Sequence, residues 1–498
     1  MSAALLMPAT LLAYFLLLLF VSRRATRRSG GDNDTFFRAG RQSHWGMVAF
    51  GMIGASISGV TFVSVPGWAK ATGMTYLQMC MGFAVGYFAV AFVLLPVYYR
   101  LRLTSIYTYL EGRFGGAAHR TGALFFVLSK LCGAAARLYL VCVVIEQFAV
   151  RPWLGGADGA AGMAAFMAVA VCVLALIWLY TRRGGIQTVV CTDVLQTFCM
   201  LLALFGVVAA AAAKLHLSLP GAVQTVLQSD MCRVWEWDWH SPQAFWRQFL
   251  SGVFIVVVMT GLDQDMMQKN LTCRSLREAQ KDMCAYGLAF LPVNALFLGL
   301  GILLYTLAAQ QAPPVTAAGD ALLPTLVAGG QLGAWVVVPF TVGIVAAAFS
   351  SADSALTALT TTVCIDLLGV ERRGFTPARS LAVRRRVHVA VAAAFLFCIA
   401  VFRAAGSQNV INTVYVMASY TYGPLLGLFA YGLYTRGVPR GRLVPAVCVA
   451  APLLCAWLDR AAPRLWGYTF GYELLLLNGA LTFLGLALAS AGRGDGRA

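Results

Sequence analysis

Residues 51–68 read GMIGASISGVTFVSVPGW, an apolar run punctuated by Gly54, Gly59, Pro66 and Gly67. The stretch around it, 46–69, is long enough as a helix to cross a hydrocarbon layer of about 30 Å at about 1.5 Å per residue. Lipid offers backbone polar groups no partner, so a crossing segment is helical, and a break survives only where it is buried or faces a cavity. Glycines alone would serve close helix packing equally well. The hydroxyls set among them, Ser56, Ser58 and Thr61, favour a partly unwound segment that faces a ligand.

A second interrupted run, VVVMTGLDQD at 256–265, places Gly261 ahead of a polar tail. The two broken helices open successive five-helix blocks, and breaks at matching positions of two halves point to a binding site near the membrane midplane. They predict an inverted repeat, although the halves share no evident residue-level similarity.

Working outward, 60% of the 498 residues are hydrophobic and only 11% charged, far from the balance of a soluble domain. The chain divides into thirteen candidate spans, from near 4–21 to 470–490, and so reads as an all-α membrane protein of about thirteen transmembrane helices. The implied organisation is an extra helix and loop (1–45), a first repeat (46–245), a second repeat (246–436), and two extra helices with a tail (437–498). The leader MSAALLMPAT is uncharged and SRRATRR follows the first apolar run, the charge order of a retained helix with its N-terminus outside. On that orientation 27 of the 37 Lys and Arg fall in inside segments. The net charge of +17 therefore orients the chain in a lipid membrane and calls for no nucleic-acid partner. Of 13 cysteines only Cys232 lies in an outside loop, so no disulfide framework is expected. The outside loop 214–245 contains VWEWDWHSPQAFW, suited to an aromatic belt or a short amphipathic helix.

Ionisable side chains at membrane depth cost at least about 2.5–3.5 kcal/mol, so each is a functional candidate. Asp193 lies in VVCTDVLQTF and Asp353 in AAAFSSADSALTALTTTVCIDLL. In the latter, Ser350, Ser351, Ser354 and Thr357 recur at helical spacing, and such hard oxygen donors suit a hard cation such as sodium. Asp366, at the inner end of that span, is expected to be solvated or to meet a loop arginine. Lys130 and Arg137 are seven residues apart and share one helix face. Arg137 should meet an anionic substrate or a buried carboxylate, Glu146 or Asp353, whereas Lys130 should snorkel to the inner surface.

The segments GASISGVTFVSVPGWAKATGMTYLQ, LTSIYTYLEGRFG, GGIQTVVCTDVLQ, DQDMMQKNLTCRSLREAQK, SSADSALTALTTTVCIDLL and SYTYGPLLGL, in that order over residues 50 to 430, resemble the sodium:solute symporter family. The resemblance implies a LeuT-type core of two inverted five-helix repeats, with one helix before it and two after. It implies a main sodium site at Gly54, Ile57, Ala347, Ser350 and Ser351. A second sodium, bound by some members, would fall to Asp193, Asp353 and Ser354, although Asp353 stands where well-known members have serine. The implied substrate pocket holds Ser56, Ser58, Thr61 and Arg137, as for a carboxylate. Met259 and Thr260 stand where sugar transporters place aromatic residues, which disfavours sugar stacking.

The expected function is sodium-coupled symport of a small solute across the plasma membrane, the chain working as a monomer without an organic cofactor. Proton coupling through Asp193 and Asp353, or a solute sensor on a transporter fold, are the alternatives. An enzyme is disfavoured because the five histidines are scattered through loops and their edges, and an ATP-driven pump because no Walker A motif is present.

Overall fold

The computed structural model describes residues 3–26, 33–151, 160–405 and 410–490, which are overwhelmingly helical. The membrane helices are α1 Ala3–Thr26, the broken pair α2 Trp45–Ser56 and α3 Gly59–Thr72, α4 Tyr76–Arg100, α5 Gly116–Ile145, α6 Ala160–Gly184 and α7 Ile186–Lys214. A second broken pair follows, α8 Phe245–Val256 with α9 Gln264–Asn270, then α10 Leu276–Gln310, α11 Val337–Thr362, α12 Pro377–Ala405, α13 Val410–Thr421, α14 Gly423–Tyr434, α15 Leu443–Trp466 and α16 Leu474–Ser490. Among the described residues nine helices are long and apolar enough to cross a membrane, and the two bent pairs raise that number to eleven. The remaining two expected spans correspond to α13 with α14, divided at Tyr422, and to the 17-residue α16.

Both sequence breaks are real bends. The first pair turns by 56° and the second, whose α8 continues through a wide turn to Gly261, by 69°. The bundle closes around them by backbone proximity. A Cβ on Gly82 of α4 would lie 2.1 Å from the Phe249 carbonyl of α8, and one on Gly252 would lie 2.3 Å from the Met79 carbonyl. Small residues that let helices touch replace the hydrophobic drive that lipid removes.

The tryptophan-rich loop departs from one of the two forms expected of it. Residues 233–244 are not helical; Trp235 and Trp237 stack 5.9 Å apart and stay exposed, while the loop's helix lies earlier, at Leu219–Gln228. All 13 cysteines are free.

Candidate functional site

The first break follows from an interrupted hydrogen-bond ladder. Ile57 leaves helical geometry at φ −82°, ψ 87°, and the Ser58 amide donates to the Ser56 carbonyl at 3.1 Å. In a continuous helix that amide would serve Gly54, so the Gly54 carbonyl is released from the i−4 ladder. The opposite wall is α11. There the Ser351 hydroxyl lies 3.2 Å from its own Ala347 carbonyl and 3.4 Å from the Ala55 carbonyl at the break. Gly54 is held against α7, since a Cβ there would fall 2.0 Å from the Thr197 hydroxyl. Oxygen atoms from two helices thus converge on one uncharged spot. Ser350 turns away from it and donates to Asp193 at 2.6 Å.

Beside the break lies a cavity of about 90 Å³, with Ser56, Arg137, Met259 and Thr260 all in its wall. Met259 and Thr260 reach it because they lie in the wide turn that ends α8. Ser58 and Thr61 do not line it: the break carries them onto α3, where the Cβ position of neighbouring Gly59 lies 2.7 Å from Val141 and 3.3 Å from the Ile344 carbonyl. The body of the cavity is aromatic and aliphatic, including Phe83, Phe290, Ile255 and Tyr415. Tyr286 is hydrogen-bonded to Ser56 and, at 2.6 Å, to Tyr87, so these hydroxyls satisfy one another.

Arg137 forms no ion pair or hydrogen bond with the described residues. Glu146 lies 3.9 Å from Arg403, and Asp353 accepts from Tyr180 at 2.6 Å and Gln196 at 3.4 Å, so neither suggested carboxylate serves Arg137. A guanidinium in a largely apolar cavity is suited to gripping a planar anion.

Lys130 does not snorkel. Its ammonium is buried, 3.1 Å from Asp263 and 2.6 Å from Asp265, and it lines the same cavity as Arg137. Tyr422 donates to Asp263 at 2.6 Å, and Ser354 donates to Asp265. Lys269, taken from the sequence as an inside-loop charge, is 1% exposed and lies 2.8 Å from Asp193. Asp366 is likewise buried, receiving Ser105 at 2.6 Å and meeting His119 at 2.8 Å instead of an arginine, so His119 is a packed partner and not a loop residue. Residues 265–281 have the profile of an inside loop because they follow the end of the apolar span 246–264; the signal that exposes the charged cluster is two aspartates two apart with a lysine four residues after the second.

The three residues expected at a second cation thus take three separate partners: Asp193 takes Lys269, Ser354 takes Asp265, and Asp353 takes Tyr180. Among the described residues no group of three or more His, Cys, Asp or Glu could hold a metal ion.

Two helices broken at one cavity wall, within a bundle of many apolar spans, are the arrangement of a LeuT-type fold. The sodium:solute symporter family model matches residues 36–441, and the chain belongs to that family. It is 26% identical to the human sodium/iodide cotransporter over 82% of this chain and 62% of that protein, and so spans under two thirds of that relative's length. It is 23% identical to the sodium/sialic acid symporter SiaT of Proteus mirabilis (strain HI4320), over 89% of this chain and 87% of that one. The structure of a substrate-bound, outward-open Na+-coupled sialic acid symporter superposes with a TM-score of 0.80 at 20% identity, covering 98% of both chains, and shares the fold. The family and these relatives are transporters, not enzymes.

Proposed function

We propose that this chain is a sodium-coupled symporter that imports a small carboxylate-bearing solute by alternating access. The observation that carries the reading is the convergence of the Ser351 hydroxyl and the Ala55 carbonyl at the first break, next to a cavity whose Arg137 has no described partner. Sodium is held there by oxygens of Gly54, Ile57, Ala347 and Ser351, and it ties α2 to α11; Ser350, expected in the same set, is turned to Asp193. That link favours the outward-facing state and shapes the Ser56 wall; solute on Arg137 then permits closure and inward opening. Ser58 and Thr61 support the cavity from behind, while Met259 and Thr260 bound it on the α8 side. The solutes that two relatives are named for, iodide and sialic acid, are both anions at neutral pH, which suits a guanidinium in the wall. The chain crosses the plasma membrane thirteen times as a monomer, N-terminus outside and C-terminus inside, with repeats at 46–245 and 246–436.

The test is uptake into proteoliposomes with an inward sodium gradient, across a panel of small carboxylates. Uptake that collapses when potassium replaces sodium, and again in Arg137→Ala, supports the reading; uptake indifferent to sodium overturns it. One observation favours proton coupling as a second reading: the Asp353 Oδ1 is buried with no hydrogen-bond partner among the described residues. Uptake abolished by an uncoupler in the absence of sodium would favour it.

A further inference from the structure

The carboxylate best placed to bind a second cation already holds one. Asp193 is fully enclosed: Lys269 Nζ lies 2.8 Å from one oxygen, and Ser350 donates to the other at 2.6 Å. Helix α2 backs directly onto it, since a Cβ on Gly51 would fall 2.9 Å from the Asp193 Cβ. Each carboxylate oxygen thus already has a partner, one of them a full positive charge. Lys269 is brought there by the 69° bend that turns α9 into the bundle, and it is itself 1% exposed. Of the other two candidates, Ser354 is engaged by Asp265, and Asp353 accepts from Tyr180 and Gln196 at Oδ2 while its Oδ1 has no partner among the described residues.

We infer that Lys269 is a tethered resident cation at Asp193, and that the chain therefore binds one sodium per cycle, at the Ser351 site alone. The inference rests on the sodium-coupled reading of that site. The ammonium supplies the charge compensation a second ion would bring, but it stays on the protein throughout the cycle and carries no gradient energy. Ser350 links the two places: it borders Ser351 in sequence and donates to the carboxylate that Lys269 neutralises. With one sodium and a monoanionic solute the loaded carrier gains no net charge, so accumulation would follow the sodium concentration gradient and not the membrane potential.

Sodium can be counted without knowing the solute, by equilibrium binding of radioactive sodium to the purified full chain. The expected result is one ion per protein, lost in Ser351→Ala and retained in Lys269→Arg and Asp193→Asn. Lys269→Met frees the Asp193 carboxylate and should raise the count to two. Should that variant fail to fold, the wild-type count and the Asp193→Asn count decide. Two ions in the wild type, falling to one in Asp193→Asn, would overturn the inference and leave sodium coupling standing. No bound sodium in the wild type would overturn the coupling reading and this inference with it.

Discussion

The two helix breaks look alike in sequence but are built on opposite electrostatics. At the first, around Ile57, the groups that converge are neutral: the released Gly54 carbonyl, and the Ser351 hydroxyl against the Ala55 carbonyl. At the second, around Leu262, Asp263 and Asp265 share Lys130, and Lys269 reaches on to Asp193. A cluster of neutral dipoles can take up an ion and give it back. A cluster of carboxylates paired with its own lysines resists loss of a lysine, because removing one leaves buried negative charge uncompensated. The first break is thus suited to exchange with solution, and the second to holding the bundle together and shaping the cavity floor.

The largest test of this contrast is Lys130→Met, which strands two buried carboxylates. We expect destabilisation of about 3–5 kcal/mol, read as a fall in melting temperature, with partial recovery when Asp265→Asn is added. Additive losses in the double variant would show that the two groups are not coupled. Arg137→Ala should behave differently. It lines the cavity without a described partner, so stability should hold while solute affinity falls roughly ten- to hundredfold, the worth of about 1.5–3 kcal/mol for a charged hydrogen bond. Arg137→Lys should recover only part, since an ammonium lacks the planar fork; full recovery would argue that charge alone matters.

Gly54→Ala probes the wall of the first break. Its Cβ would sit 2.0 Å from the Thr197 hydroxyl, and overpacking of this kind costs about 1–3 kcal/mol. Thr197→Ala should relieve part of that loss in melting temperature, and no relief would place the strain elsewhere.

The smallest effect belongs to an exposed ion pair, in which Arg372 hydrogen-bonds Glu111 and holds its carboxyl below the usual range. A depressed carboxylate contributes stability above its unfolded pKa and loses it as pH falls through the folded value. The pair is substantially exposed, with side chains 54% and 29% accessible, so solvent screening limits Glu111→Gln to under about 1 kcal/mol. The deficit in melting temperature should shrink as the pH is taken below the carboxylate range; a deficit that stays constant with pH would exclude the ionised pair as its cause.

Both breaks, the serine row of α11 and the shared face of Lys130 and Arg137 were legible in the sequence, because glycine, hydroxyl and helical spacing are local signals. The partners of the charges were not. Asp353 meets Tyr180 from 173 positions away, and Lys130 meets Asp263 across 133; no local pattern encodes such pairings. Lys269 was misplaced for a more specific reason. A lysine just past an apolar span has the profile of a loop charge, and only the bend at 262–263 turns it inward. The family resemblance implies Ser58 and Thr61 in the cavity, whereas the break separates them from Ser56.

The most direct test of the central claim is the melting temperature of the purified chain in sodium against potassium, for wild type and Ser351→Ala. A ligand at about 100 times its dissociation constant adds about 2.7 kcal/mol. The account predicts a clear upward shift in sodium for the wild type and none for Ser351→Ala. Equal melting in the two salts, or a sodium shift that persists in Ser351→Ala, would contradict it.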